Sequence, residues 1–148
     1  MEAIIFMGIQ ATDKTTFYLE NFFKSHMRIS MDMLNTRNKE QKFLDTCFLV
    51  QQPFVIDNTN PGKTDRARYI DQAKLNKYKV IGYYFQSKLE DSIKRNSERQ
   101  GKECIPEKGI RGTYGKLELP SYDEGFDELY YVELNNNTFE IKDWQDEI

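Results

Sequence analysis

Short apolar runs alternate with longer amphipathic segments along the 148-residue chain. The run Ala3–Met7 has the continuous apolar character of a central, fully buried strand. Further strands are expected at 28–30, 53–57, 80–85 and 129–134, and helices at 15–24, 38–52, 64–77 and 89–99. Strands that alternate with helices predict an α/β protein with a mainly parallel five-stranded sheet.

Helical spacing also predicts which side chains face the core. The first helix should bury Phe17, Tyr18, Phe22 and Phe23, and the second Phe43, Leu44, Cys47 and Phe48. The triplet 135–137 consists of asparagines and predicts a C-terminal hairpin turn into 138–141. The glycine-rich stretch 100–121 suits a mobile lid and its return, and we place the lid at about 95–116.

Composition is that of one globular domain spanning residues 1–148. The net charge of −3 gives no overall attraction to nucleic acid, so any such binding needs a local basic patch. Cys47 and Cys104 match no metal-binding spacing, and reduced thiols in a cytoplasmic protein are expected. No apolar run approaches the length of a membrane span.

The segment from Gly8 to Thr16 follows the first strand and differs at one position from a phosphate-binding P-loop, G-x-x-x-x-G-K-[ST]. In such a loop, backbone N–H groups and the next helix N-terminus surround the nucleotide phosphates. The lysine, here Lys14, reaches the β- and γ-phosphates, and the hydroxyl of Thr15 ligates Mg²⁺. The expected nucleotide-binding residues are Gly8, Gln10, Ala11, Thr12, Asp13, Lys14, Thr15 and Thr16.

Asp13 stands where the motif requires its second glycine. Aspartate tolerates left-handed backbone better than most residues, so the loop can keep its shape. Its carboxylate is the harder problem, because two unit charges about 4 Å apart repel by about 4 kcal/mol at an effective dielectric near 20. The sequence leaves three possibilities open: an active kinase, a degenerate P-loop protein acting as a binding or regulatory module, and an accidental or engineered change in an active enzyme.

Three polar clusters follow later strands, where α/β sheets place ligands. They are 28–37 with Asp32 and Arg37, 55–69 with Asp57-Asn-Thr-Asn-Pro61 and Arg66-Ala-Arg68-Tyr69, and 95–115 with Arg95 and Arg99. Together with the loop, and on to Glu124-Gly125-Phe126, they resemble the kinase domain of the polynucleotide 5′-hydroxyl kinases, which also occur fused to a 3′-phosphatase. The resemblance covers nearly the whole chain and implies a three-layer P-loop kinase fold.

The resemblance also implies a role for each matched residue. Asp32 would take the proton from the substrate hydroxyl, and Arg37 would bind a substrate phosphate. Asp57 would lie near Mg²⁺, with Asn58, Thr59 and Asn60 orienting the substrate or the metal shell. Arg99 would stabilise charge on the transferring phosphoryl group, with Arg95 as a second candidate at the nucleotide.

Each role has a plainer alternative. Asp32 could cap the following helix, residues 57–60 could form an ordinary turn, and Arg95 and Arg99 could pair with Glu98 and Glu103 on a solvated face. Arg66 and Arg68 could pair with Asp65 and Asp71 or hold the loop, or join Lys63, Lys74 and Lys77 in a basic patch. His26 is expected at the surface, and the paired tyrosines 83–84 and 130–131 are expected to pack within strands.

The sequence thus predicts a phosphotransferase that uses ATP and Mg²⁺ to phosphorylate a hydroxyl. Its acceptor would be a DNA or RNA 5′ end or a small molecule. The alternative is a binding or regulatory module that binds ATP weakly or not at all. Asp13 is the reason to consider it.

Overall fold

The computed structural model describes residues 1–145, and positions 146–148 of the predicted domain lie outside them. The strands are β1 Glu2–Met7, β2 Met27–Ile29, β3 Phe54–Ile56, β4 Lys79–Phe85, β5 Glu128–Asn135 and β6 Thr138–Asp143. The helices are α1 Lys14–Asn21, α2 Met31–Leu34, α3 Arg37–Val50, α4 Lys63–Leu75, α5 Leu89–Ser97 and α6 Glu107–Lys116. Single 3₁₀ turns lie at Gly101–Glu103 and Tyr122–Glu124.

The six strands form one sheet in the order β2-β3-β1-β4-β5-β6. The first five are parallel, and β6 returns antiparallel to β5, which confirms the predicted sheet and hairpin. The turn between them has two residues, Asn136 and Asn137, both at positive φ (50° and 63°). Asparagine tolerates these angles, which a type I′ hairpin turn requires.

Alternate side chains of β1 enter two separate cores, so helices cover both faces of the sheet. Ala3, Ile5 and Met7 pack with side chains from α3 and α4, whereas Ile4 and Phe6 pack with Phe17 and Tyr18 of α1. A central strand buried on both faces reads as one apolar run, which explains why β1 was predictable. The result is the predicted three-layer α/β fold.

Two core predictions are wrong. Phe23 is 65% exposed because α1 ends at Asn21, so the residue falls beyond the helical face. Phe43 is 44% exposed because the buried stripe of α3 runs through Glu40, Leu44, Cys47 and Phe48, and Phe43 lies at its flank. The tyrosine prediction is confirmed, since Tyr83 stacks on Tyr130 and Tyr84 on Tyr131 across β4 and β5. His26 is not an open surface residue: its side chain is 9% exposed and its ring contacts Glu2 and Ser25.

The expected lid is more regular than a glycine-rich loop. Residues 107–116 form α6, which packs against α5 and buries Ile110. Asn96, at the end of α5, bonds reciprocally with the backbone of Ile105: its Nδ2 donates at 2.6 Å and its Oδ1 accepts at 2.9 Å. The segment 95–116 therefore consists of the end of α5, a connection with one 3₁₀ turn, and α6. Within residues 1–145, no helix has both the length and the apolar character needed to cross a bilayer.

Candidate functional site

The loop after β1 is anchored to the ends of two neighbouring strands. The N–H of Gly8 donates to the carbonyl of Thr59 at 2.9 Å, and the N–H of Ile9 donates to Ser87 Oγ at 3.1 Å. Gly8 has φ 146°, and a Cβ there would lie 3.0 Å from the carbonyl oxygen of Phe85. Glycine is therefore required at position 8 by both backbone angle and space.

Lys14, the first residue of α1, folds back into this loop. Its Nζ donates to the carbonyls of Gly8 (3.1 Å) and Ile9 (2.7 Å) and to Thr12 Oγ1 (3.2 Å). The loop thus surrounds an ammonium group. Burial lowers the pKa of Lys14 from 10.5 to about 8, because a desolvated ammonium is disfavoured.

Four other charged side chains lie close enough to Lys14 to influence its pKa. The negative charges of Asp57, Asp32 and Asp13 raise its pKa, whereas the positive charge of Arg99 lowers it, each effect being smaller than that of burial. These four residues come from the loop, from α2, from the end of β3 and from the end of α5. The fold therefore brings together most of the charged residues singled out in the sequence.

Asp13 has φ 63° and ψ 34°, the left-handed conformation expected of the missing glycine. It precedes α1 without giving the helix a side-chain cap. Its half-buried side chain lines an open groove of about 570 Å³ between α5 and the β5–β6 turn. The other groove residues are Asp91, Lys94, Arg95, Glu98, Arg99, Leu134 and Asn137.

Thr15 and Asp57 form the pair expected near a metal. The hydroxyl of Thr15 donates to Asp57 Oδ2 at 2.9 Å, and the Asp57 side chain is only 3% exposed. Arg28 on β2 contacts the same oxygen, with Nε at 2.8 Å. Hydroxyl and carboxylate oxygens are the hard ligands that Mg²⁺ prefers, so this donor set fits the ion.

These two residues supply few ligands by themselves. Within residues 1–145, no group of three or more His, Cys, Asp or Glu side chains is placed to hold a metal ion. Mg²⁺ at nucleotide sites is usually held by one or two protein oxygens, substrate phosphates and water. The donor set is therefore of the kind that completes its shell with phosphate oxygens.

The short helix α2 presents Asp32 to solvent. Ser30 is its N-cap, and Ser30 Oγ accepts from the N–H of Asp32 at 3.3 Å, so the alternative in which Asp32 caps the helix is wrong. Asn58 Oδ1 accepts from the N–H of Met31 at 2.9 Å and fixes α2 against the residue that follows Asp57. The Asp32 carboxylate accepts no hydrogen bond from the described part of the chain and is exposed.

Arg37 forms a salt bridge with the buried carboxylate of Glu40. Its Nη1 donates to Glu40 Oε1 at 3.0 Å and to Tyr69 Oη at 2.9 Å. The hydroxyl of Tyr69 donates to Glu40 Oε2 at 2.9 Å, and Asn58 Nδ2 donates to the same oxygen at 3.2 Å. Glu40 is 2% exposed, whereas the Arg37 side chain is 52% exposed and keeps its outer face in solvent.

The residues after Asp57 mainly support the loop. Asn60 is buried, and its Nδ2 donates to the carbonyl of Phe6 at 2.8 Å. Arg66 is fully buried: it forms two bonds to Glu124 and donates from Nη1 to the carbonyls of Asn60, Pro61 and Glu118. Arg66 therefore holds the loop, as one alternative predicted, and does not pair with Asp65.

The proposed basic patch around α4 is partly neutralised: of its five cations, Lys63, Arg68 and Lys77 are exposed, and the other two are paired. Arg66 is buried, and Lys74 forms a salt bridge with Asp127 at 2.9 Å. Both cations are thus matched by nearby carboxylates. The open positive charge of the patch therefore comes from Lys63, Arg68 and Lys77.

The segment 95–116, where the lid is expected, contacts the loop through two side chains. Arg95 Nη1 donates to the carbonyl of Ala11 at 3.1 Å, and Gln10 Nε2 donates to Thr113 Oγ1 of α6 at 2.9 Å. Arg99 Nη1 donates to the carbonyl of Glu103 at 3.3 Å. Among residues 1–145, neither arginine has a carboxylate partner of the kind expected on a solvated helix face. Thr16 is exposed on α1.

Sequence reasoning missed three contributors to this site. Arg28 is the first residue of the polar cluster 28–37, and a basic residue on a short strand beside a strand that ends in an acid is a usable signal. Glu40 and Thr113 carried no signal, because their roles depend on α3 meeting α4 and on α6 meeting the loop.

No protein-family model matches the chain. The bifunctional polynucleotide phosphatase/kinase of Schizosaccharomyces pombe is 24% identical over 149 residues, which cover 98% of this chain. The chain spans 36% of the length of that relative.

Solved structures show the same fold at low identity. A gluconokinase from Sinorhizobium meliloti has a TM-score of 0.63 and 14% identity, with 89% of this chain and 82% of that chain covered. Kti12 of Chaetomium thermophilum, solved in complex with ADP-AlF₃, has a TM-score of 0.64 and 17% identity, with 90% of each chain covered. The chain therefore has a P-loop kinase fold, and its sequence resembles that of a polynucleotide phosphatase/kinase.

Proposed function

We propose that this protein transfers the γ-phosphoryl group of ATP to a hydroxyl group. The observation that carries the proposal is the position of Lys14, whose ammonium is enclosed by the loop within 2.7–3.2 Å of three oxygens. The same lysine lies at the start of α1, where helix N–H groups and dipole favour anions. An enclosed cation at a helix N-terminus is the arrangement that a P-loop offers to phosphates.

The carboxylate of Asp13 does not preclude this function. Its backbone already has the left-handed conformation of the glycine it replaces, and its side chain lines the groove beside α5. The hydrogen bonds of Lys14 inside the loop go to Gly8, Ile9 and Thr12, not to Asp13. Lys14 is therefore not held by Asp13, and to bind phosphate its Nζ would exchange one or more of its three loop bonds for phosphate oxygens.

The acceptor would enter beside α2. Asp32 is exposed there, and its carboxylate would accept the proton of the attacking hydroxyl. Arg37 lies on the first turn of α3 with an outward face suited to an acceptor phosphate. Asn58 would act indirectly, because its side chain already binds Met31 N–H and Glu40.

The transferring group would lie between the loop and the lid. Arg99 would stabilise its charge, and Thr15 with Asp57 would hold Mg²⁺, which neutralises phosphate charge when bound. Arg95, on the carbonyl of Ala11, would border the nucleotide in the groove.

A polynucleotide 5′-hydroxyl is the acceptor we favour, on the strength of the sequence resemblance to a polynucleotide phosphatase/kinase. A small-molecule hydroxyl is the competing acceptor, because a gluconokinase shares the fold. The experiment is transfer from γ-labelled ATP to matched 5′-hydroxyl DNA, 5′-hydroxyl RNA and a pool of metabolites. Oligonucleotides that already carry a 5′-phosphate serve as controls.

Label transferred to the 5′-hydroxyl oligonucleotides and not to the 5′-phosphorylated controls supports the favoured acceptor. Label transferred only to the metabolite pool supports a small-molecule kinase. Absence of transfer to every acceptor, with ATP bound, contradicts the kinase proposal and favours a nucleotide-binding module.

A further inference from the structure

Arg28 places a positive charge beside the two protein groups that would face a metal ion, Thr15 and Asp57. Its Nε lies 2.8 Å from Asp57 Oδ2, and its Nη2 lies 3.4 Å from Thr15 Oγ1. The Thr15 hydroxyl donates to the same Asp57 oxygen at 2.9 Å. The guanidinium therefore lies beside both oxygens of the Thr15–Asp57 pair.

The position of Arg28 is set by the sheet. Arg28 lies on β2, directly beside β3, and is in register with Val55, two residues before Asp57. Its side chain is 25% exposed, whereas that of Asp57 is 3% exposed. The carboxylate of Asp57 is thus buried and faces the guanidinium of Arg28, whereas the Arg28 side chain is partly exposed to solvent.

The charge of Asp57 is matched by that of Arg28 before any metal arrives. A buried carboxylate without a partner would attract a divalent cation strongly, because the local dielectric is low. Arg28 and Asp57 together carry no net charge. The guanidinium of Arg28 also repels a divalent ion that approaches the Asp57 carboxylate. The nucleotide-free site is consequently a poor site for free Mg²⁺, even though its oxygens suit the ion.

We propose that Arg28 is a resident counter-cation that excludes divalent metal from the Thr15–Asp57 pair until phosphate groups arrive. The inference rests on the proposed function and assigns a regulatory role at the same site. The phosphates bring enough negative charge to attract the metal and give the guanidinium a second anionic partner. Metal therefore enters with the nucleotide and not before it.

The test measures divalent cation binding to the nucleotide-free protein, with Mn²⁺ as the probe and paramagnetic resonance as the readout. Mn²⁺ takes the carboxylate and hydroxyl ligands that Mg²⁺ takes. Arg28→Gln should bind Mn²⁺ about tenfold or more tightly than the unaltered chain, because one repelling charge is lost. Arg28→Lys, which keeps the charge, is the matched control and should resemble the unaltered chain.

The double variant Arg28→Gln/Asp57→Asn identifies the site, because it should lose the gained Mn²⁺ binding. Equal Mn²⁺ affinity in the unaltered chain and in Arg28→Gln, with both folded by circular dichroism, overturns the inference. Arg28→Met provides a second neutral variant if the glutamine variant does not fold.

A parallel titration with ATP and Mg²⁺ separates this inference from the proposed function. If Arg28→Gln gains the Mn²⁺ site while neither chain binds ATP, the counter-cation role stands and the kinase proposal fails. If both chains bind ATP and their Mn²⁺ affinities are equal, the kinase proposal stands and the role of Arg28 is wrong.

Discussion

The ammonium of Lys14 donates to the carbonyl oxygen of Ile9 at 2.7 Å, so the side chain at the start of α1 binds back to the loop that precedes it. Burial lowers the pKa of this ammonium from 10.5 to about 8. Its protonation is therefore sensitive to pH in a range where an ordinary lysine stays charged. Bound phosphates would raise the pKa again, because they favour the charged form.

ATP binding near pH 8 should accordingly take up a proton. Because the pKa of Lys14 is lowered to about 8, some of the Lys14 side chains are neutral there, so binding should take up a fraction of a proton per nucleotide, and affinity should fall as pH rises further. Calorimetry in buffers of different ionisation enthalpy measures the uptake. Lys14→Arg, which stays charged, is the control. Equal proton uptake by the two chains would show that another group titrates.

The same pKa predicts how nucleotide-free stability changes with pH. The folded pKa is below the unfolded value, so between about pH 8 and pH 10.5 the unfolded chain binds more protons at this residue. The contribution of Lys14 to stability should therefore rise with pH across that window. Urea denaturation of the unaltered chain and of Lys14→Met measures it, and the stability difference between the two chains should change across the window. A difference independent of pH would contradict the shifted pKa.

Asp13 should influence stability through its backbone angles. Asp13→Gly should be at least as stable as the unaltered chain, since glycine adopts φ 63° without strain. Asp13→Ala should lose about 1 kcal/mol, because alanine has a Cβ in the left-handed region and no compensating polar group. Urea denaturation of the three chains measures this order. An alanine variant as stable as the glycine variant would show that position 13 relaxes to another conformation.

Asp32→Asn should lower phosphoryl transfer by at least about a hundredfold while ATP affinity changes little. The reason is that the exposed carboxylate is proposed to act on the acceptor and not on the nucleotide. Asp71→Asn, an exposed change on α4, is the control and should leave the rate unaltered. A parallel loss of ATP binding in Asp32→Asn would instead place Asp32 in the nucleotide site.

Arg99→Ala should lower turnover by about a hundredfold or more and change stability by less than about 0.5 kcal/mol. Its bond within the lid goes to one carbonyl, that of Glu103 at 3.3 Å, so little packing is lost. Lys102→Ala, another cation of the lid, is the control. An unchanged rate in Arg99→Ala would show that Arg99 does not act on the transferring phosphoryl group.

Arg66→Ala should destabilise the protein by about 3–5 kcal/mol, because it leaves the Glu124 carboxylate and three carbonyls without their buried donor. Arg68→Ala on the exposed side of the same helix should change stability by less than about 0.5 kcal/mol. Thermal unfolding of both variants gives the comparison. Equal effects would mean that the loop holds its shape without Arg66.

The local pattern of apolar and polar residues was sufficient to predict much of the fold. β1 was predictable because both of its faces are buried, and the hairpin because two asparagines tolerate positive φ at its turn. Phe23 and Phe43 were misplaced because helix ends and the width of a buried stripe depend on what packs against the helix. The helix α6 was missed because its glycines favour a loop, whereas Ile110 and the contact with α5 stabilise a helix.

The site was predictable where one motif or one strand end carries the chemistry. Lys14, Thr15 and Asp57 follow strands, and parallel strands bring their ends to one edge of the sheet. The contacts of Arg28 and Glu40 were not predictable, because they depend on side chains that meet only in the folded sheet and helix layer.

Calorimetric titration of the unaltered chain with ATP and Mg²⁺ tests the central claim, which is that residues 8–15 bind a triphosphate despite Asp13. We expect saturable binding with a dissociation constant below about 1 mM, abolished in Lys14→Ala and little changed in Asp13→Gly. No binding at millimolar ATP, together with binding restored in Asp13→Gly, would contradict the claim, because the carboxylate would then block the loop.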